Sequence, residues 1–141
     1  MSDVDWAQMV LTLYDSRDIR LAHPKWLEIW PRLKEDFGLE TGLQLEISCV
    51  WRSAKAQIDL FAFGRTKPGS KLTFKDGVKE LSNHQLCPSP AIDVFVMASK
   101  KAVWDTKAYE PLGPLAEKYG LLWGGNWKEF KDYPHLEIKS I

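Results

Sequence analysis

The residues best suited to chemistry in this sequence of 141 residues are its histidines, His23, His84 and His135, and one carboxylate set in an apolar run. The run AIDVFVM at 91–97 reads as a buried strand, yet Asp93 lies inside it. Burying a bare carboxylate costs several kcal/mol unless it is paired or binds a metal. Asp93 therefore either turns to solvent on an alternating strand or has a partner. His84, in the proline-broken loop SNHQLCPSP just upstream, supplies an imidazole. Two histidines and one carboxylate form a catalytic zinc set that leaves a fourth position for water. The second imidazole is then His23 or His135. His135 is the better candidate, because it follows Asp132 in DYPHLE and Pro134 fixes the backbone between them. An acid near the metal but not bound to it can take a proton from water. His23, beside Pro24, reads more naturally as the start of a helix. Cys87 follows His84 at a spacing found in structural zinc sites and competes with Asp93 as a ligand. Cys49, inside an apolar run, reads as a small buried hydrophobe.

The elements that must position these groups are expected in one α+β domain over residues 1–141. An N-terminal helical segment covers 1–38, with a first helix near 3–14 and a second opened by His23-Pro24. Trp26, Leu27, Trp30, Leu33 and Phe37 repeat near the helical period. Gly38 is the expected stop, and Pro31 is expected to kink or divide the helix. A catalytic core follows over 43–141. LQLEISCV at 43–50 alternates as a half-buried strand, with Leu43, Leu45, Ile47 and Cys49 on one face. Ser53 can cap a helix to about residue 63, with Ile58, Phe61 and Ala62 inward. Residues 64–90 read as a long loop with at most a short hairpin, and loops of that length are usually functional. A short helix is expected within 105–119, capped by Asp105 or Thr106 and stopped by Gly120. LLWGGNWKEF reads as a turn-rich connection, and HLEI at 135–138 as the last strand. Trp26, Trp30 and Trp104 are expected in the core. Trp123 and Trp127 either pack there or line a groove. Ser82 caps a turn or orients His84. Arg65 and Lys67 either touch an anionic substrate or solvate the loop.

Nineteen basic and nineteen acidic residues give zero formal net charge. A non-specific nucleic-acid binder would carry a basic excess. No apolar run approaches the ~20 residues of a membrane span. The first residues lack the basic region of a signal peptide, so a cytoplasmic, disulfide-free chain is expected.

SNHQLCPSPAIDVF resembles the zinc motif of the D-alanyl-D-alanine carboxypeptidase and L-alanyl-D-glutamate endopeptidase family, which includes VanY-type enzymes and phage endolysins. Ser82, His84, Ala91 and Asp93 match its Ser-x-His and Ala-x-Asp pattern. WRSAKAQIDLFAFGRTKPGSKLT and GLLWGGNWKEFKDYPHLEI are similar to the flanking blocks of the endolysin branch, in the same order. DIRLAHPKW is similar to the segment before them. The resemblance implies a Hedgehog/DD-peptidase-like fold, a small antiparallel sheet with helices packed around it. It implies Zn²⁺ on His84, Asp93 and His135, Asp132 as catalytic acid/base, and Arg52 holding substrate and oxyanion charge. The implied activity is hydrolysis of the L-alanyl-D-glutamate bond in the peptidoglycan stem peptide, causing host lysis. The alternatives are a D-alanyl-D-alanine carboxypeptidase and a non-catalytic wall-binding module. The setting it implies is a phage lysis protein, folded in the host cytoplasm and released to the wall, with no membrane insertion. A monomer without a separate wall-binding domain is expected. Two departures stand out. The spacer between His84 and Asp93 is longer than in many relatives, and Asn126 stands where many endolysins have an acid.

Overall fold

The computed structural model describes residues 14–139. The expected first helix lies outside the described residues except for Tyr14, which is in a bend. The principal helix, α1, spans Lys25–Thr41. His23 starts it, its Nδ1 accepting from the Lys25 N–H and its carbonyl from the Trp26 N–H. Trp26, Leu33 and Phe37 form the buried stripe. Pro31 does not divide the helix, although it removes the bond to the Leu27 carbonyl. Pro31 and Leu27 are both exposed, so water can take that carbonyl. Nor does Gly38 stop the helix. Gly42 does, in the left-handed region at φ 74°, with its N–H on the Gly38 carbonyl.

The sheet is antiparallel throughout. Its strands are β2 (Gln44–Cys49), β4 (Ala91–Ala98), β7 (His135–Ile138) and β6 (Leu121–Trp123), in that order, with β5 (Lys101–Val103) also pairing with β4. A separate ribbon joins β1 (Asp15–Ser16) to β3 (Trp51–Arg52). Helix α1 packs on β2, and a short helix α3 (Leu112–Lys118) packs on β6. Leu45, Val94, Val96, Leu112 and Leu136 fill the space between them and are fully or almost fully buried. Trp26 ties α1 to the start of β4, its Nε1 donating to the Pro90 carbonyl at 2.9 Å.

Strands β5 and β6 were not expected. They are three residues each, too short to show a period. Between β4 and β5 the chain reverses through Ser99 and Lys100, both at positive φ (48° and 67°). Two-residue hairpins of that hand favour Asn-Gly. Ser99→Asn with Lys100→Gly is expected to raise stability by roughly 1 kcal/mol, because L-residues other than Asn and Gly are strained there. A urea titration of the double variant checks this.

Helix α2 spans Ala54–Ala62, and the Ser53 hydroxyl accepts from the Ala56 N–H as expected of a cap. Its inward face is Ala56 and Gln57, not Ile58, which is exposed. Trp104, expected in the core, is also exposed (71%). It follows β5, the short strand that pairs with β4. Residues 64–90 contain no hairpin. An isolated bridge from Phe63 to Lys67 and one 3₁₀ turn take its place. Asp105 caps a further 3₁₀ turn, Thr106–Tyr109, ahead of α3.

Candidate active site

Three segments converge at the middle of the sheet. Asp93 in β4 pairs directly with His135 in β7 and with Cys49 in β2. Directly opposed residues point to the same face, so this register brings the three side chains together. The β2–β4 register shifts between Ile47 and Cys49. That extra residue places Cys49, not Ser48, across from Asp93 and turns the chain toward Arg52. His84 arrives from the 3₁₀ turn Asn83–Gln85. The Ser82 hydroxyl accepts from the His84 N–H at 3.2 Å, and Gln85 Oε1 accepts from the Ser82 N–H at 2.9 Å. Ser82 is thus the cap of a reciprocal capping box.

The donor atoms lie at the spacing a small cation requires. His84 Nε2 is 3.2 Å from Asp93 Oδ1 and 3.4 Å from His135 Nδ1, and His135 Nδ1 is 3.1 Å from Asp93 Oδ1. Ligands about 2.0–2.1 Å from a tetrahedral zinc sit roughly 3.3 Å from one another. The outward nitrogens are committed elsewhere. His84 Nδ1 donates to the Val50 carbonyl at 2.9 Å, and His135 Nε2 to Glu137 Oε1 at 2.8 Å. In neutral imidazoles the inward nitrogens then carry lone pairs. Two lone pairs and a carboxylate face one another, and only bound protons or a cation can reconcile them.

The electrostatics follow from this crowding. Burial alone would lower both imidazoles, but Asp93 outweighs it, raising His84 to about 10 and, with Glu137, His135 to about 9. Burial alone would raise the Asp93 carboxyl, but the two imidazoles hold it well below the usual range. Such a site takes up a metal by releasing protons. The donor set, with its restrained outward nitrogens, fits a divalent ion of zinc type.

Asp132 lies just outside this trio, its Oδ2 4.0 Å from His135 Nδ1. Burial, then the charge of Asp93, pushes its carboxyl up to about 6. The turn holding it is closed by the His135 N–H on the Asp132 carbonyl, at 3.1 Å. The Asp132 N–H in turn donates to the Gly124 carbonyl at 3.0 Å. Residue 124 must be glycine here, since a Cβ would stand 2.2 Å from the Asp132 carbonyl oxygen. Arg52 reaches the cluster from β3. Its guanidinium is 3.5 Å from Asp93 Oδ2 and donates to Gln57 Oε1 at 2.8 Å.

These groups form the floor of a cleft of about 970 Å³. Residues 72–75, 80–83 and 127–130 also line it. Phe74 and Phe130 meet with ring centroids 4.9 Å apart. Trp127 lines the cleft, its ring 5.0 Å from that of His135. Trp123 is buried, its Nε1 donating to the Tyr133 carbonyl.

His84, Asp93, His135, Asp132 and Arg52 are all brought together. His23 and Cys87 are not: His23 stays at the helix start, and Cys87 is exposed. Arg65 and Lys67 do not line the cleft. Arg65 donates to the Phe61 and Thr73 carbonyls, and Lys67 lies over the Phe63 ring. Sequence reasoning missed three neighbours of the cluster. Glu137 shares a strand face with His135, a signal that alternation in HLEI carries. Gln57 is fully buried, bonded to Arg52, Thr73 and Lys75, and only its helical position next to Ala56 hints at this. Cys49 comes within 4.8 Å of donor atoms of His84 and Asp93, through a register shift that no local pattern reveals.

Residues 76–138 match the family model described as D-alanyl-D-alanine carboxypeptidase. The chain is 35% identical over 108 residues to the peptidoglycan L-alanyl-D-glutamate endopeptidase CwlK of Bacillus subtilis (strain 168). That alignment covers 69% of this chain and 62% of the relative, so the chain spans less than two-thirds of that protein. The crystal structure of the Serratia marcescens L-Ala D-Glu endopeptidase ChiX superposes with a TM-score of 0.62 at 22% identity, over 90% of this chain and 87% of that one. The likeness extends to the fold: a small α+β domain with an antiparallel sheet.

Proposed function

We propose, from the match of residues 76–138 to the family model described as D-alanyl-D-alanine carboxypeptidase, that this chain is a zinc-dependent peptidoglycan peptidase cleaving the L-alanyl-D-glutamate bond of the stem peptide. The observation that carries this is the meeting of three acceptor atoms within 3.4 Å while both outward ring nitrogens are already bonded. His84, Asp93 and His135 would hold the ion. Bound there, zinc would polarise a carbonyl oxygen and bring the pKa of a water toward neutrality. Asp132 accepts the proton of the attacking water and hands it to the leaving amine. Arg52, braced by Gln57, faces the charge that develops on the scissile carbonyl oxygen. The cleft supplies room for an extended peptide above the cluster.

Two features bear on which bond is cut. The endopeptidase names of the two relatives favour the L-alanyl-D-glutamate bond. The description of the family model favours a D-alanyl-D-alanine carboxypeptidase. Digestion of purified peptidoglycan, with mass analysis of the fragments, separates them. New N-terminal D-glutamate supports the endopeptidase and free D-alanine the carboxypeptidase. A chelator should stop either reaction. Persistence of cleavage after metal removal would overturn the zinc reading, and no cleavage with zinc present would leave a non-catalytic wall-binding module. Residue Asp132, placed as a base, speaks against that last possibility.

The setting we propose is phage lysis: a monomer folded in the host cytoplasm and passed to the wall by a separate pore. Among the described residues no helix is long and apolar enough to cross a membrane. Expression with and without a pore-forming partner tests this setting, lysis being expected only with the partner.

Asp132 also fixes a pH dependence. Its carboxyl is raised to about 6, so it is protonated below that value and able to accept a proton only above it. kcat/KM of the zinc-loaded protein is expected to rise with pH through a limb at or below about 6, since a bound cation lowers the carboxyl from its metal-free value, and to flatten toward neutrality. A pH–rate profile checks this, and Asp132→Asn should remove the limb from any residual activity.

A further inference from the structure

Resting on the metal centre proposed above, we infer that Glu137 is a positioning residue: with Asn83 it locks the His135 ring so that Nδ1 is the nitrogen turned toward the metal. His135 and Glu137 are two apart on β7 and share its site-facing side. Both carboxylate oxygens of Glu137 are used. Oε1 accepts from His135 Nε2 at 2.8 Å, and Oε2 accepts from Asn83 Nδ2 at 2.9 Å. Asn83 is the neighbour of His84 in its 3₁₀ turn. The chain Asn83–Glu137–His135 therefore links the two histidine-bearing segments outside the cluster itself.

An imidazole offers a lone pair on one nitrogen only when its proton sits on the other, and the hydrogen bond at that other nitrogen decides which. For His84 the deciding acceptor is the neutral Val50 carbonyl, fixed by the backbone. For His135 it is a carboxylate, whose charge both fixes the tautomer and makes the ring a stronger donor. Without Glu137 the Nε2 proton loses its acceptor. The proton can then move to Nδ1, turning an N–H toward Asp93 and the ion.

The test uses the full chain and measures the zinc Kd by competition with a chromophoric chelator, for wild type, Glu137→Gln and Glu137→Leu. Glu137→Leu is expected to weaken zinc binding roughly 10–100-fold. Glu137→Gln should lose less, because its amide oxygen still accepts from Nε2–H although the charge is gone. Ring ¹⁵N spectra of the metal-free protein, recorded above about pH 9 where the His135 ring is neutral, should show His135 moving from the Nε2–H form toward a mixture in Glu137→Leu, a change that loss of packing alone would not produce. Metal-free circular dichroism confirms that each variant is folded. Should Glu137→Leu misfold, the Gln variant alone decides, its ring tautomer and Kd being compared with wild type. A leucine variant that binds zinc as wild type does, or a His135 tautomer indifferent to residue 137, overturns the inference and leaves the metal centre standing. A wild type that binds no zinc sinks both.

Discussion

Asp132→Asn is expected to lower kcat/KM by about 10²–10⁴-fold, the usual worth of a positioned proton acceptor, while the protein still binds zinc. The separation of the two effects follows from position. Asp132 stands 4.0 Å from His135 Nδ1, whereas Asp93, the carboxylate of the trio, stands 3.1 Å away. The same substitution should raise the melting temperature of the metal-free protein at neutral pH. The sign follows from linkage. A carboxyl whose folded pKa is about 6 favours folding while protonated, and that contribution is lost as pH rises from the unfolded value toward 6. At pH 7 the ionised Asp132, half-buried beside Asp93, opposes folding, and the amide removes that opposition. Thermal melts in the presence of a chelator, set beside peptidoglycan digestion, measure both halves. Wild-type rates in the variant would remove Asp132 from the reaction.

Gly124→Ala should be nearly as damaging, without touching any candidate ligand. The added Cβ would lie 2.2 Å from the Asp132 carbonyl oxygen and 3.1 Å from its Cβ. Both obstacles belong to the segment that presents the carboxylate, so the turn must move outward by about 1 Å. A displacement of that size can cost roughly 10²-fold in rate when it misaligns a reacting group. Overpacking of this kind typically also costs 1–3 kcal/mol of stability. Zinc affinity should fall far less than kcat, because Asp93 and His135 are held by strand register. Equal losses in both would mean that the whole sheet edge had been disturbed.

Much of the cluster was legible in the residues alone, and for a physical reason. A carboxylate in AIDVFVM is costly enough to demand a partner, and few histidines are on hand to provide one. Asp132 and Pro134 mark the turn that serves His135. What stayed hidden depended on contacts across the chain. Gln57 looks like a surface residue on a helix of weak pattern, yet it is buried because Arg52 and the Lys75 carbonyl need its amide. Cys49 reaches the site only through the shift in β2. β5 and β6 exist because β4 and β7 offer them ladders, not because their own sequences insist on extension. Pro31 illustrates the converse. Its local penalty is real, but the stripe Trp26, Leu33 and Phe37 anchors the helix on both sides of it.

The candidate ligands are supplied by a turn, an inner strand and the strand beside it, at residues 84, 93 and 135. An ion seated among them would act as a rivet through the middle of the fold. Its grip would then follow mass action, adding about 2.7 kcal/mol at a free concentration of 100 Kd. Metal scarcity would thus do more than silence the enzyme. It would let the 72–83 segment and the His84 turn open more often, exposing them to proteolysis. The abundance of the protein in a cell, and not only its activity, would track the supply of zinc.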